Sequence, residues 1–552
     1  MNIPIPLLTT ERSPPGLRFA PLIIFFALLF FFWRPIEDYD IWFYMVSGRE
    51  VAATGKIPDT MFYLLPLLGE PASYIEWGFG LIYHLAYVLG GYTGMTALNA
   101  VFGATTLFLA YRAAIAKREW LHPVVLLALA LVAWWITARI NYRAETALLL
   151  SMAATLLALE RYAEQGDWLC LIPIPITGWL LIQLHPSTVF LLPVLGAYAI
   201  EFFFSPPAGR TRGHVVFLLT VTALATLALA SINPYGWRQV ALPFTALFSG
   251  KDLMNDITEY LPVMDTEYAF NFIAMTALGV LALVFQRERR ISSGLLLALF
   301  GMLTFLYVRN IGLFALVLLG PLVRLGLHTF PDKIPQRLQR LGVSVVLAAW
   351  LGLPLWQGKW GSGTKPGVFP EKSAAYLKQN LPGGHVLNFF DYGGYLAWVL
   401  GSGFLVFVDG HDTMSNRAVQ LHDAIFRADP GWENAVTQYR IDAIFTPAVM
   451  QFSGRMIPLI EHLAYSDTWK LVVREPSGLL FLRADLAVNA ELDKRQVWEQ
   501  LIEEAQRELH KFPDHPDPLA ALATAYLAVG DAEKAEEAMR QYRRLNTRIP
   551  VE

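Results

Sequence analysis

About eleven apolar stretches run through this chain as far as residue 356, near 16–33, 93–111, 120–138, 145–160, 168–184, 186–204, 214–232, 267–285, 291–308, 310–326 and 341–356. A hydrocarbon core about 30 Å thick needs roughly 20 helical residues, fewer where a short helix packs against protein rather than lipid. Inside lipid each backbone polar group must find an internal partner, so such a chain folds as a bundle of membrane helices. Composition agrees, because 55% of the 552 residues are hydrophobic and only 16% are charged, too few to cover a soluble surface. A net charge of -3 offers nucleic acid no basic surface, so none is expected as a partner. The single cysteine, Cys170, lies in an apolar run and reads as a buried structural thiol, which leaves no disulfide or cysteine-metal framework.

Charge sets the expected orientation. The first apolar run follows Arg12 and Arg18, lacks a small-x-small cleavage site and reads as an uncleaved membrane helix. Residues 77–89 are also apolar, yet counting them as a span scatters the cations over both sides. Without that span, Arg112, Lys117 and Arg118, then Arg161, Arg210 and Arg212, then Arg287, Arg289 and Arg290, then Lys333, Arg337 and Arg340 all fall on one side. That is the positive-inside pattern of a bacterial inner membrane protein, with residues 77–89 as an interfacial amphipathic helix. Residues 34–92, the loop 233–266 and everything after about 357 are then extracytoplasmic.

Three segments follow: a membrane domain over 1–360 with its first outer loop at 34–92, an α/β domain over 361–485, and a helical tail over 495–552. Strand-like runs at 385–389, 404–408, 443–446, 470–473 and 479–482 alternate with helical stretches such as 371–380 and 432–439, which gives the α/β reading. Asp391-Tyr392-Gly393-Gly394-Tyr395 and Asp409-Gly410-His411-Asp412 follow strands. Turn chemistry accounts for both, and a polar rim facing the membrane domain is the alternative. In the tail, Leu522-Ala523, Ala525-Tyr526, Gly530-Asp531, Ala535, Ala538 and Pro550 carry tetratricopeptide spacing. One and a half such repeats cap a domain or offer a protein partner a modest docking surface.

The chemistry is expected at Glu37, Asp38 and Asp40, just beyond the first apolar run. Carboxylates this close repel one another, which favours a proton or a cation between them. Asp38 or Asp40 could deprotonate an acceptor hydroxyl, and the pair could hold a divalent cation (Mg, Mn or Ca) through hard oxygen ligands, though nothing in the sequence requires one. By the same parity, Arg139, Arg143, Glu145, Gln183, His185, Asn233, Arg309 and Asn310 sit at outer helix ends. Singly such charges snorkel to the interface; together with the acids they suggest a shared polar cavity. The planar forks of Arg143 and Arg309 suit a lipid phosphate.

These residues also carry a family resemblance. Glu37-Asp38-Tyr39-Asp40-Ile41-Trp42 continues through Gly48-Arg49, Gly55-Lys56-Ile57-Pro58-Asp59 and Gly69-Glu70-Pro71 to Tyr74-Ile75-Glu76-Trp77. This resembles the first outer loop of the GT-C superfamily, the polyprenyl-phosphate-sugar transferases that include protein mannosyltransferases and aminoarabinose transferases. It is also similar to bacterial membrane proteins with Asp-Pro-Asp-Leu-Trp-Trp-His, Glu-Trp, Asn-Leu-His-Gly and Asn-Pro-Tyr-Gly segments. Here those positions read Asp38 to Tyr44, Glu76-Trp77, Gln183-Leu184-His185-Pro186 and Asn233-Pro234-Tyr235-Gly236. The resemblance covers roughly residues 16–480. It implies a GT-C-like helical membrane protein with an undecaprenyl-type phosphosugar donor and Asp38 or Asp40 as base. Glu37 would stand with them, and Glu76, Tyr44, Arg143, His185, Asn233 and Arg309 would line the substrate pocket. Tyr44 stands where the family pattern has histidine and Gln183 where it has asparagine, which argues against metal ligation at those two positions.

The reaction so implied moves a sugar from a polyprenyl phosphate to an extracytoplasmic protein, glycan or lipid. Two other readings compete. A flippase or transporter needs polar groups near the bilayer midplane, whereas these cluster at helix ends. A catalytically inactive assembly protein would bind partners through the tail, and Tyr44 keeps that reading open.

Overall fold

The computed structural model describes residues 19–115, 122–137, 139–248, 258–286, 290–329, 335–411, 416–487 and 491–546. Arg12, Arg18, Lys117, Arg118, Arg287, Arg289, Lys333, Asp412 and Pro550, which entered the sequence reading, lie outside them. The chain folds as two compact units, one of residues 1–36 and 85–363 and one of 37–84 and 364–552. The sequence reading grouped the first outer loop with the apolar helices; most of it folds instead with the carboxy-terminal domain.

The first unit is helical. Among the described residues five helices are long and apolar enough to cross a membrane, namely Trp77–Ala114, Glu145–Gln165, Ser187–Phe204, Arg212–Ala230 and Val308–Thr329. Six shorter apolar helices accompany them at Ala20–Phe31, Pro123–Ile136, Trp168–Leu184, Ala269–Phe285, Ile291–Leu306 and Arg340–Trp356. Each lies over one of the apolar stretches in the sequence. Trp77–Ala114 is interrupted by Gly90 (φ -149°, ψ 18°) and Gly91 (φ 58°, ψ -149°), a left-handed turn that glycine makes without a Cβ clash. That break separates residues 77–89 from the apolar run that follows. Ile311–Thr329 is the central helix, buried along most of its length and packed on Pro123–Ile136, Ala269–Phe285 and Ile291–Leu306. By contrast Arg212–Ala230 leaves Phe217, Val221 and Leu224 exposed, as a lipid-facing helix does.

The second unit carries a five-stranded sheet: β1 Gly384–Asn388, β2 Phe404–Val406, β3 Ala443–Thr446, β4 Trp469–Glu475 and β5 Gly478–Arg483, in the order β2-β1-β3-β5-β4. Both β2 and β3 run parallel to β1, while β5 is antiparallel to β3 and β4. All five strand-like runs in the sequence are strands. The buried Asn388 side chain ties β1 to the end of β2: its Oδ1 accepts from the Phe407 and Val408 N–H groups, and its Nδ2 donates to the Val408 and Phe389 carbonyls. The tail contributes three helices, Arg495–Lys511, Asp517–Ala528 and Ala532–Asn546.

The first loop is built into this unit. Leu64 bridges to Val406 at the β2 edge, where the Val406 N–H donates to the Tyr63 carbonyl at 3.1 Å. The helix after the acidic cluster, Ile41–Thr54, is gripped on two sides by backbone. A Cβ at Gly80 would lie 2.0 Å from the Tyr44 carbonyl oxygen, and one at Gly394 would lie 2.8 Å from the Phe43 nitrogen. Only glycine allows either approach. Arg49 completes the grip: its guanidinium donates to the Trp398 and Ala397 carbonyls at 2.8 and 3.3 Å, a cation at the carboxy-terminal end of the Gly393–Leu400 helix.

Candidate functional site

The acidic loop leads into Ile41–Thr54 and is packed from below by aromatic rings. Trp42, fully buried, meets Phe369 and Tyr395 edge-on at 5.1 and 5.0 Å, and Tyr39 meets Phe369 and Tyr392 at 5.6 Å each. The three acids have different surroundings. Glu37 pairs with Lys365 at 2.5 Å, so its charge ties the loop to the segment leading into the α/β domain. Asp38 is only 7% exposed, and its Oδ1 accepts the Asp40 N–H at 2.9 Å. Asp40 precedes the first turn of the helix and faces the Gly410 turn, where an added Cβ would lie 3.5 Å from its Oδ1. Tyr44 meets Phe43 at a tilt and Phe79 edge-on, with ring centroids 4.2 and 5.3 Å apart. Glu76 belongs to this unit too, one residue before Trp77–Ala114, and its carbonyl accepts the Gly80 N–H.

The two strand-end turns sit beside this loop. Asp391 lies within electrostatic range of Asp38, and burial, with Asp38 second, pushes its carboxyl up to about 6. Burial also pushes Asp409 up to about 6, against the Tyr63 hydroxyl and the His411 N–H that donates to it at 3.0 Å. His411 packs edge-on to Tyr74 at 4.5 Å, and burial pushes its imidazole down to about 4, so it is neutral at pH 7. Turn chemistry therefore explains the Asp409 turn, and position gives both turns a place at the rim of the acidic loop.

A pH dependence follows. A carboxyl with a raised folded-state pKa binds its proton more tightly when folded, so it favours the fold below its ordinary range near 4. That contribution is lost as pH rises to about 6. For buried Asp409 the loss is at most about 3 kcal/mol. Thermal unfolding of the detergent-solubilised chain should show stability falling between about pH 4 and 6, and Asp409→Asn should flatten that slope. An unchanged slope in the variant would place the dependence elsewhere.

A second polar cluster belongs to the first unit, at helix ends. Arg139 follows Pro123–Ile136, Glu145 opens Glu145–Gln165, and Arg309 lies in the short turn Val308–Asn310 that leads into Ile311–Thr329. Arg139 pairs with Glu145 and, at 3.2 Å, with Glu259; Arg143 pairs with Glu259; Arg309 donates to Glu145 at 2.5 Å and to the Tyr260 hydroxyl. These ion pairs join the three arginines and the two glutamates in one group. The chain turns into it at Tyr142 (φ 60°), whose N–H donates to Asn99 and whose hydroxyl donates to the Arg34 carbonyl at 2.5 Å. His185 is buried within electrostatic range of Glu145, and its Nδ1 lies 2.6 Å from the Ser187 hydroxyl.

Among the residues expected to bind substrate, Arg143, His185 and Arg309 thus come together, joined by Arg139 and Glu145. Asn233 is elsewhere: its amide donates to the Ala230 and Gly236 carbonyls and its Oδ1 accepts the Tyr235 N–H, so it holds its own turn. Gln183 donates to the Ile232 carbonyl beside that turn. Glu259 and Tyr260 were not singled out in the sequence, because a Thr-Glu-Tyr within a polar loop has no local signature. Among the described residues no three His, Cys, Asp or Glu side chains gather to hold a metal ion.

No protein-family model matches the chain, and no curated protein matches it in sequence. Solved structures do match. The apo oligosaccharyltransferase of Archaeoglobus fulgidus aligns with a TM-score of 0.56 at 12% identity, over 92% of this chain and 79% of its own. The arabinofuranosyltransferase AftD from Mycobacteria aligns at 0.51 and 16% identity, over 88% of this chain and 42% of its own. ArnT from Cupriavidus metallidurans, in a structure bound to undecaprenyl phosphate, aligns at 0.50 and 13% identity, over 86% and 98%. At these identities the likeness is one of fold. The chain thus shares the fold of these three transferases, as the resemblance read from the first outer loop implied, with a small sheet domain beside its apolar helices.

Proposed function

We propose that the protein is a membrane glycosyltransferase that moves a sugar from a polyprenyl-phosphate donor to an extracytoplasmic acceptor. The observation that carries this reading is the division of polar groups within a GT-C fold: a buried acid on an integrated outer loop, and a cluster of three arginines at membrane-helix ends. Asp38 takes the acceptor hydroxyl proton, with Asp40 as the alternative base. The acceptor oxygen bonds to the anomeric carbon as the bond from that carbon to the phosphate oxygen breaks. Arg309 and Arg143 neutralise the departing lipid phosphate, whose charge grows in that step. No step is assigned to a cation. That ArnT was solved with undecaprenyl phosphate supports a lipid donor of this class.

The orientation proposed is that of a bacterial inner membrane protein with the acidic loop, the α/β domain and the tail outside the cytoplasm. It is supported by the membership of loop, domain and tail in one compact unit, which requires them to share a side. The test is the full chain in proteoliposomes supplied with radiolabelled polyprenyl-phosphate sugars. Release of polyprenyl phosphate with label passing to an acceptor is expected. Movement of intact labelled lipid between leaflets without cleavage would make it a flippase, and a reporter fused after residue 360 that reads as cytoplasmic would overturn the orientation.

A further inference from the structure

Four non-glycine residues among those described have a left-handed backbone: Tyr142, Ala428, Arg440 and Phe452. Ala428 and Arg440 follow the ends of helices Asn416–Phe426 and Trp432–Gln438, where that conformation commonly closes a helix. Tyr142 is fully buried with its N–H and hydroxyl both bonded. Phe452 neither closes a helix nor is buried. It sits mid-loop at φ 66°, and its side chain is 64% exposed. A strained backbone whose ring gains nothing from burial persists only where its surroundings hold it, and such strain concentrates at functional sites.

The surroundings come from the tail. The buried carboxylate of Glu508 accepts the Phe452 N–H at 3.1 Å, and that of Glu504 accepts the Ala448 and Val449 N–H groups at 2.7 and 3.1 Å. The loop closes on itself, the Met450 N–H donating to the Arg455 carbonyl and the Gly454 N–H to the Met450 carbonyl, both at 2.8 Å. Gly454 lies so close to the tail that a Cβ there would be 2.4 Å from Pro518. Gln451, the neighbour of Phe452, donates to the Tyr39 hydroxyl at 3.2 Å, and Tyr39 lies between Asp38 and Asp40 in the chain. The helix Arg495–Lys511 therefore fixes a loop that touches the acidic segment and presents an exposed ring one residue away.

We propose that Phe452 is the platform for a sugar ring of the acceptor, which narrows the acceptor to a glycan-bearing one; this rests on the glycosyl-transfer reading above. One face of a pyranose is largely C–H and packs on an aromatic face, while its rim hydroxyls need planar polar partners. Gln451 and the exposed Arg455 supply such groups on the same loop. The tail then serves as the brace of the acceptor site.

The test is saturation-transfer NMR on the detergent-solubilised full chain, with methyl glucoside, mannoside, galactoside and arabinofuranoside as probes. At least one probe is expected to take up saturation with wild type and with Phe452→Trp, and to lose about fivefold or more with Phe452→Ala and Phe452→Leu. Absence of a signal from every glycoside with wild type, or an undiminished signal with Phe452→Ala, overturns the proposal. So does an undiminished signal with Phe452→Leu, because leucine keeps apolar contact, as with a bilayer, without an aromatic face. Binding is read without turnover, so a failed catalytic reading would show in the transfer assay alone.

Discussion

Asp38→Asn is expected to lower sugar transfer by the purified protein about 10³-fold, within the roughly 10²–10⁴-fold that a positioned general base contributes. Asparagine keeps the size of the side chain and leaves an oxygen to accept the Asp40 N–H, so the turn survives while proton acceptance is lost. Asp40→Asn is the necessary companion. If Asp38 is the base, Asp40→Asn costs less, and the order of the two defects assigns the role. The Glu37→Gln variant separates chemistry from tethering: Glu37 is paired with Lys365, so its loss should move the thermal midpoint more than the turnover. Transfer at the wild-type rate by both aspartate variants would remove the acidic loop from the mechanism. Substrate affinity belongs in the same experiment, since a base acts in the transition state and should lower kcat with little change in KM for the lipid.

The fold was legible where the signal is local. Apolar runs of helical length mark the membrane helices because lipid leaves the backbone no other choice, and the five short β-branched and aromatic runs mark the strands. Glu371–Asn380 came out at its expected bounds, because Pro370 stops the chain before it and the Leu381-Pro382 pair after it. The acidic motif was legible for a different reason, its density of charge directly after an apolar run. What the sequence hid is long-range. Nothing near Arg49 says that it will hold carbonyls at Ala397 and Trp398, and nothing near Glu504 or Glu508 says that they will seat N–H groups some 55 residues earlier. The glycines show the same limit. Gly80 and Gly394 read as ordinary helix and turn glycines, and only the assembled unit shows that each admits a backbone neighbour to Ile41–Thr54. Asn233 shows the converse, a residue whose motif suggested a ligand and whose amide is spent on its own turn.

Arg309→Gln is expected to cut kcat/KM for a polyprenyl-phosphate sugar about 10²-fold, equivalent to roughly 3 kcal/mol of transition-state stabilisation. The substitution removes one of the three positive charges that Arg139, Arg143 and Arg309 bring to the cluster. A lipid phosphate would then meet one cation fewer. The same change also withdraws one of the two arginines that neutralise Glu145, and an under-paired buried carboxylate is itself destabilising. Arg309→Lys distinguishes the two effects. Lysine restores the charge and the pairing with Glu145 but lacks the planar fork that grips two phosphate oxygens. Its thermal midpoint should therefore return to near wild type while transfer stays about tenfold down. Full recovery of both by lysine would reduce Arg309 to a structural partner of Glu145. Wild-type transfer by the glutamine variant would take the cluster out of donor binding altogether, and the phosphate would have to be held by groups outside it.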